Sequence, residues 1–391
     1  MKSAILCQLA TVLVCATAFG GDLSPLAGPV PPTLRPLNPV EPRTPIGPLT
    51  TPGDDDSVFR IALPGSYYLT RNVSGLEGKN GIEIAASHVS IDMMGFVLHG
   101  RSTGLAGVVL DGQCDHLTLR NGSITEWTTQ GLNLAVGGGE GRILEDLHCA
   151  ANGAQGMLTG QAAIVVNCSA IMNDGDGILS GQASSLENCS ARLNGGTGII
   201  VLGAGVARGC SSWENNFGGY YIEQGGSIES SSAQQNPLGG IFARNGTRVT
   251  NCLARDNFGD GINAGDECII IGNTVTRNEG DGIETDGDSL VKDNVVSFNR
   301  TEAGDGAGIR VRFHGSRIEG NHLRVNDFGL NIMHTHNLII RNSAVSNTMN
   351  YRIVPSNRVG TIIPAPGTTS MIEGDSGGGL GTTDPWANFA Y

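Results

Sequence analysis

From residue 59 the chain alternates apolar and polar positions, with Phe59, Ile61, Leu63, Tyr67 and Leu69 on one face. That is the period of half-buried strands, and residues 58–73 are predicted to be the capping strands of a domain. Beyond them a Gly followed by an apolar residue recurs at Gly81, Gly107, Gly131, Gly156, Gly177, Gly198, Gly219, Gly240, Gly261, Gly282, Gly308 and Gly329. Every step from Gly156 to Gly282 is 21 residues, and the step is 21 again from Gly308 to Gly329 and on to Asn350. Steps of 26, 24 and 25 before Gly156, and of 26 before Gly308, mark loop insertions. Self-similarity at such a period predicts a solenoid whose coils bury a shared core.

The coils are built of strands. Between Asp260 and Asn278 short β-branched runs, such as Ile269-Ile270-Ile271 and Thr274-Val275-Thr276, are separated by Gly, Asn and Asp that supply turns. A leucine-rich repeat would need regularly spaced Leu, which these coils lack. The expected fold is all-β: a parallel β-helix of about a dozen 21-residue coils with three short strands each.

Composition agrees. With 59 Gly in 391 residues and only 16% charged residues, Gly stands at about twice its ordinary usage. The 39% apolar fraction is enough for a core. A net charge of −13 argues against nucleic-acid binding, which needs a basic surface. Lys2, the apolar run 4–16 and Ala16-Thr17-Ala18 read as a secretory signal over residues 1–18. No later stretch reaches the roughly 18 apolar residues of a membrane span. The expected location is therefore secreted or at the cell surface. Residues 19–56, holding most of the 16 Pro, are expected to form a stiff linker. The β-helix domain is expected over residues 57–361. Residues 362–391 form a Gly-rich tail whose aromatic end either folds back over the last coil or serves docking.

If the apolar residue after each repeat Gly points inward, the residues two and four after that Gly point outward. This column is bland from Leu158 to Leu202, then turns to Tyr221 and Glu223, Phe242 and Arg244, Asn263, Glu284 and Asp286, Arg310 and Arg312, then Asn331 and Met333. Aromatic faces beside forked donors and acceptors suit a sugar-binding groove. Tyr221, Glu223, Phe242, Arg244, Asn263 and Asn331 are the candidate polysaccharide-contacting residues. Asp260, Asp281, Glu284 and Asp286 are candidate Ca²⁺ ligands. Glu284 or Asp286 is the candidate acid, with Arg310 and Arg312 as partners of a substrate carboxylate or, less aptly, as base. Against this stands the plainer reading that Asp260 and Asp281 cap turns and the other charges form stacked surface pairs. The insertion over residues 302–307 borders this face. His314, His334 and His336 lie in nearly one register, but no acidic residue is placed to orient them as metal ligands. Cys168, Cys189, Cys210 and Cys252, with Ser231 between, form a column expected to be reduced and buried.

The Asp-Gly-Ile turns at Asp176, Asp260 and Asp281, the Asn-Cys-Ser turns at Asn167 and Asn188, and Asn-Cys at Asn251 resemble those of the right-handed parallel β-helix repeat proteins. These make up the pectin-lyase-like superfamily, with carbohydrate-binding and sugar-hydrolase repeats. Leu63-Pro-Gly-Ser-Tyr-Tyr-Leu is similar to the N-terminal cap of its exported bacterial members, and the resemblance runs from about residue 59 to 361. It implies a right-handed coil. Activity is less specified, because the scaffold hosts many. The polygalacturonase motifs and the Asp-Pro-His of alginate epimerases do not occur in the coils, leaving a Ca²⁺-assisted lyase as the family chemistry to entertain. Two classes remain open: an exported β-helix that binds polysaccharide or serves a structural role, and a polysaccharide lyase or hydrolase.

Overall fold

The computed structural model describes residues 42–364, 372–374 and 384–390. The expected signal sequence and the linker as far as residue 41 lie outside the described residues. The described residues from Arg43 onward form one compact unit. Its strands stack into two parallel sheets, one of 15 strands and one of 28. The smaller sheet takes the first strand of every coil, from Ser57–Ile61 to Ile372–Gly374. The larger takes the second and third strands, as in Val206–Arg208 and Ser211–Trp213. Among the described residues fifteen coils stand, close to the dozen or so that the Gly spacing predicted. The additional ones begin at Ser57, Met349 and Ile372, where no Gly-apolar pair marks the start.

Neighbouring coils pair in the register that a 21-residue repeat requires: Ile199↔Tyr220, Tyr220↔Ile241 and Ile241↔Ile262. The residues after the repeat Gly point inward; Ile82, Ile178, Tyr220, Ile262, Ile309 and Leu330 are fully buried. Among the described residues seven cysteines, including Cys168, Cys189, Cys210 and Cys252, are buried and free. The thiols of Cys189 and Cys252 donate to the carbonyls of Glu187 (3.3 Å) and Thr250 (3.2 Å).

Beyond Cys252 the same corner is taken by Asn273, Asn294, Asn321 and Asn342. A second amide ladder rises at 21-residue intervals from Asn152 to Asn299 and continues to Asn326 and Asn347. At each rung the Oδ1 accepts a backbone N–H and an Nδ2–H from the coil before, as Asn257 does from Asn236 (3.1 and 3.0 Å). Buried turns are thus satisfied by side chains where no strand pairing reaches.

Both ends extend past the expected boundaries. Thr44–Pro45 pairs with Tyr67–Tyr68 and Ile46 is buried, so residues 44–46 of the expected linker lie on the first coil; an edge strand tolerates Pro. At the other end Asn388–Ala390 lies between Ser343–Val345 and Ile362–Pro364, parallel to both. Asn388 there completes the amide ladder, accepting from Asn342 N at 2.9 Å. Among the described residues no helix is long and apolar enough to cross a membrane.

Candidate functional site

The outward column forms as the register predicts: Ile200↔Tyr221↔Phe242↔Asn263↔Glu284↔Arg310↔Asn331. Tyr221, Glu223, Phe242, Asn263, Glu284, Asp286 and Arg310 are half-buried, and Arg244 and Arg312 are exposed. Asn331 departs from the expectation. It is only 3% exposed, flanked in the column by the longer Arg310 and Arg352, and offers the groove little surface.

Phe242 does not stand straight out from its strand. A Cβ on Gly218 would meet Phe242 Cε2 at 2.8 Å and Cδ2 at 3.0 Å, and one on Gly239 would meet Cζ at 3.0 Å. The ring therefore lies against the backbone of two glycines, in room that any side chain there would fill. Gly239 also has φ +145°, a conformation that suits only glycine. Phe217 and Leu238, which precede these glycines, and Phe258 on the adjoining coil are each more than half exposed. Sequence reasoning missed these three, although Phe217-Gly218 and Leu238-Gly239 stand one repeat apart. A depression of ≈ 190 Å³ runs beside the ring, lined in part by Tyr221, Arg244, Asn245, Asn263 and Asp286.

Two coils on, a wider depression of ≈ 470 Å³ is lined by Asp260, Asp281, Glu284, Thr301, Asp305, Arg310, Arg312 and Met333. Its floor is a charge pair. Asp281, 5% exposed, accepts from Arg310 Nε, from Arg310 Nη2 at 2.9 Å and from the Ala307 N–H at 2.6 Å. Arg310 also donates to the Asp305 carbonyl at 2.6 Å. Burial pushes the Asp281 carboxyl up and Arg310 opposes it, while the hydrogen bond to Asp281 holds the guanidinium firmly charged. Asn263 Nδ2 donates to Asp260 Oδ2 (2.9 Å) and to Glu284 Oε1 (3.3 Å), so one amide spans two carboxylates. Burial, then the charges of Asp260 and Asp281, raise the Glu284 carboxyl. Arg312 lies 3.4 Å from Glu284 and 3.7 Å from Asp286. Thr301, just before the insertion, and Asp305 within it are joined at 2.5 Å, and the segment is held by Asp327, which accepts from the N–H groups of Thr301 and Gly306 at 3.1 Å.

This geometry does not fit the expected cation site. Asp281 is committed to Arg310 and Ala307, Asp260 accepts from Asn263 and the Asp281 N–H, and the carboxylates of Asp260, Asp281, Glu284 and Asp286 do not converge on one point. Among the described residues the group of carboxylates that does converge is Asp54, Asp56 and Glu83 in the first coils. Arg60 already stands there, paired with Glu83 and with Asp54 at 3.4 Å and Asp111 at 2.5 Å. Nor do the histidines gather: His314 and His334 rings lie 5.7 Å apart, and His336 meets Thr335 instead.

Residues 205–363 match the family model of the right handed beta helix region. The chain is a right-handed β-helix protein. No curated protein matches it. Among solved structures, the mannuronan C-5 epimerase AlgE6 A-module of Azotobacter vinelandii is 12% identical over 84% of this chain and 90% of its own, with a TM-score of 0.49. The tailspike protein of E. coli bacteriophage HK620, solved with a pentasaccharide, is 11% identical over 84% of this chain and 71% of its own, with a TM-score of 0.40. The PL6 family alginate lyase AlyGC is 14% identical over 80% and 47%, with a TM-score of 0.36. The right-handed β-helix assignment rests on the family model and on the strand register of the coils.

Proposed function

We propose that this β-helix protein, exported by its signal sequence, binds a polysaccharide along the outward column from Tyr221 to Arg312. The observation that carries the reading is the Phe242 ring, laid on the glycine pair Gly218 and Gly239. It offers a flat apolar face at the rim of a depression whose polar lining is Arg244, Asn245, Asn263 and Asp286. A sugar ring stacks on such a face while its hydroxyls reach the acceptors and donors alongside. From Tyr221 to Arg310 the column spans four coil steps, or ~19 Å at the strand spacing of a sheet. A chain laid along the helix axis thus meets aromatic and then charged residues in turn. The double variant Tyr221→Ala, Phe242→Ala is expected to lose polysaccharide retention in affinity electrophoresis while keeping its thermal unfolding midpoint. Unchanged retention by the double variant would sink the reading.

A second reading, cleavage of the bound chain, is favoured by Glu284 alone. Its raised carboxyl, beside Asp260 across one amide, is the kind of group that keeps a proton to give to a leaving oxygen. Under that reading wild type releases reducing ends or unsaturated products from a polysaccharide panel, and Glu284→Gln does not. Product release that survives Glu284→Gln would remove this residue from the chemistry.

A further inference from the structure

We infer that the chain seated in this groove is an uncharged, hydroxyl-bearing polysaccharide and not a polyuronate; the inference rests on the groove reading above. A polyuronate brings one carboxylate per sugar and needs cations free to meet it. Five carboxylates line the two depressions, Asp260, Asp281, Glu284, Asp286 and Asp305, against three guanidinium groups. Two of the three are already engaged. Arg310 is forked onto Asp281 and the Asp305 carbonyl, and Arg312 stands between Glu284 and Asp286. Arg244 is the groove cation that meets no carboxylate among the described residues, and it is exposed at the rim. The field over the groove is therefore negative and repels polyanions. Carboxylate oxygens are hydrogen-bond acceptors, and sugar hydroxyls are the donors that suit them. Among the described residues the one side-chain partner of Asp286 is Arg312, in an ion contact at 3.7 Å, which leaves oxygen lone pairs open toward the Phe242 depression.

The test is affinity electrophoresis of the wild-type protein lacking residues 1–18. The gels contain β-glucan, xylan or galactomannan as uncharged chains, and polygalacturonate or alginate as polyuronates, each with EDTA and with Ca²⁺ at low and high NaCl. The expected result is retention by at least one uncharged chain, unchanged by salt, and none by either polyuronate. Asp286→Asn is expected to weaken that retention about tenfold, and Arg244→Ala less than twofold. Retention by a polyuronate, in EDTA or in Ca²⁺, or a loss of binding centred on Arg244→Ala, overturns the inference and leaves the groove reading standing. Retention by none of the five overturns the groove reading together with it.

Discussion

Gly218→Ala adds one methyl group and tests the aromatic platform without touching its chemistry. The new Cβ would lie 2.8 Å from Phe242 Cε2 and 3.0 Å from Cδ2, with the nearest backbone atom, Gly239 O, at 3.7 Å. The backbone thus accommodates the methyl and the ring does not. Because Gly218 does not lie in the left-handed region, the substitution also restricts the unfolded chain, which contributes ~0.4–1 kcal/mol toward stability. That offsets much of the cost of swinging one half-buried ring, so the unfolding midpoint is expected to stay within a few degrees of wild type. Affinity is another matter. An aromatic contact of good geometry contributes ~1–1.5 kcal/mol, and losing it weakens binding roughly five- to tenfold. Titration calorimetry with the polysaccharide that wild type retains would measure this, alongside Phe242→Ala and the double variant. If the methyl acts through the ring, Gly218→Ala costs nothing further once Phe242 is Ala. Additive losses, or full affinity in Gly218→Ala beside a weakened Phe242→Ala, would refute the idea that the glycines position the ring.

Tyr220 and Tyr351 occupy the same inward column, both fully buried, yet the Tyr220 hydroxyl has no hydrogen-bond partner among the described residues while that of Tyr351 lies 2.9 Å from the carbonyls of Asn342 and Phe389. Thermal unfolding is expected to show Tyr220→Phe stabilising by about 1 kcal/mol and Tyr351→Phe destabilising by a similar amount; equal effects of one sign would contradict the contrast. Glu284 titrates above its ordinary value of 4.5 in the folded protein, so its contribution to stability is present below that value and is lost as pH rises through the raised one. Glu284→Gln should therefore flatten the fall in unfolding midpoint between pH 4 and 8, and an identical pH profile would speak against a raised carboxyl. Asn388, fully buried, accepts from Asn342 N and Nδ2 and donates to the Ile339 and Gly360 carbonyls. Asn388→Ala is expected to cost roughly 2–4 kcal/mol, read as faster amide exchange over residues 339–364, and unaltered exchange there would show that the C-terminal strand does not clamp the last coils.

The parts legible in the sequence are those that depend on one coil and its period. A step of 21 residues sets strand register, and register sets which side of the sheet every residue takes, so Ile262 and Ile283 could be placed inside and Glu284 outside by counting. What escaped depends on contacts between coils. The partner of Arg310 is Asp281, one coil back and across the insertion, and no spacing rule shows that this pairing takes the carboxylate away from a cation. The direction of the Phe242 ring follows from two glycines on different coils, each of which alone reads as an ordinary turn residue. The Asn ladder carried its own signal, Asn at 21-residue steps from Asn152 to Asn299, but such Asn are also common turn formers. The C-terminal strand belongs to no repeat; it covers the edge of Ser343–Val345, which would otherwise be unpaired, and Ile362–Pro364 pairs on its other side.

The division between inside and outside lets the outer face of the coils change without disturbing the fold. Along the inward column Ile199, Tyr220, Ile241, Ile262 and Ile283 are all buried, and the amide ladder beside them runs through the same coils unbroken. Over that same stretch the outward column changes from Ile200 to Tyr221, Phe242, Asn263 and Glu284 with no change in pairing register. Coil stability is set largely by the inner surface and by neighbouring rungs, so outer residues can vary at little cost to it. The exceptions are Asp281 and Asp327, buried carboxylates that accept from the backbone N–H groups of Ala307 and Gly306, and Arg310, half-buried against Asp281. Removing one partner of that pair would leave a buried charge. Under the groove reading, substitutions at Tyr221, Phe242 and Asp286 are therefore expected to read binding alone, and those at Asp281 and Arg310 to read folding as well.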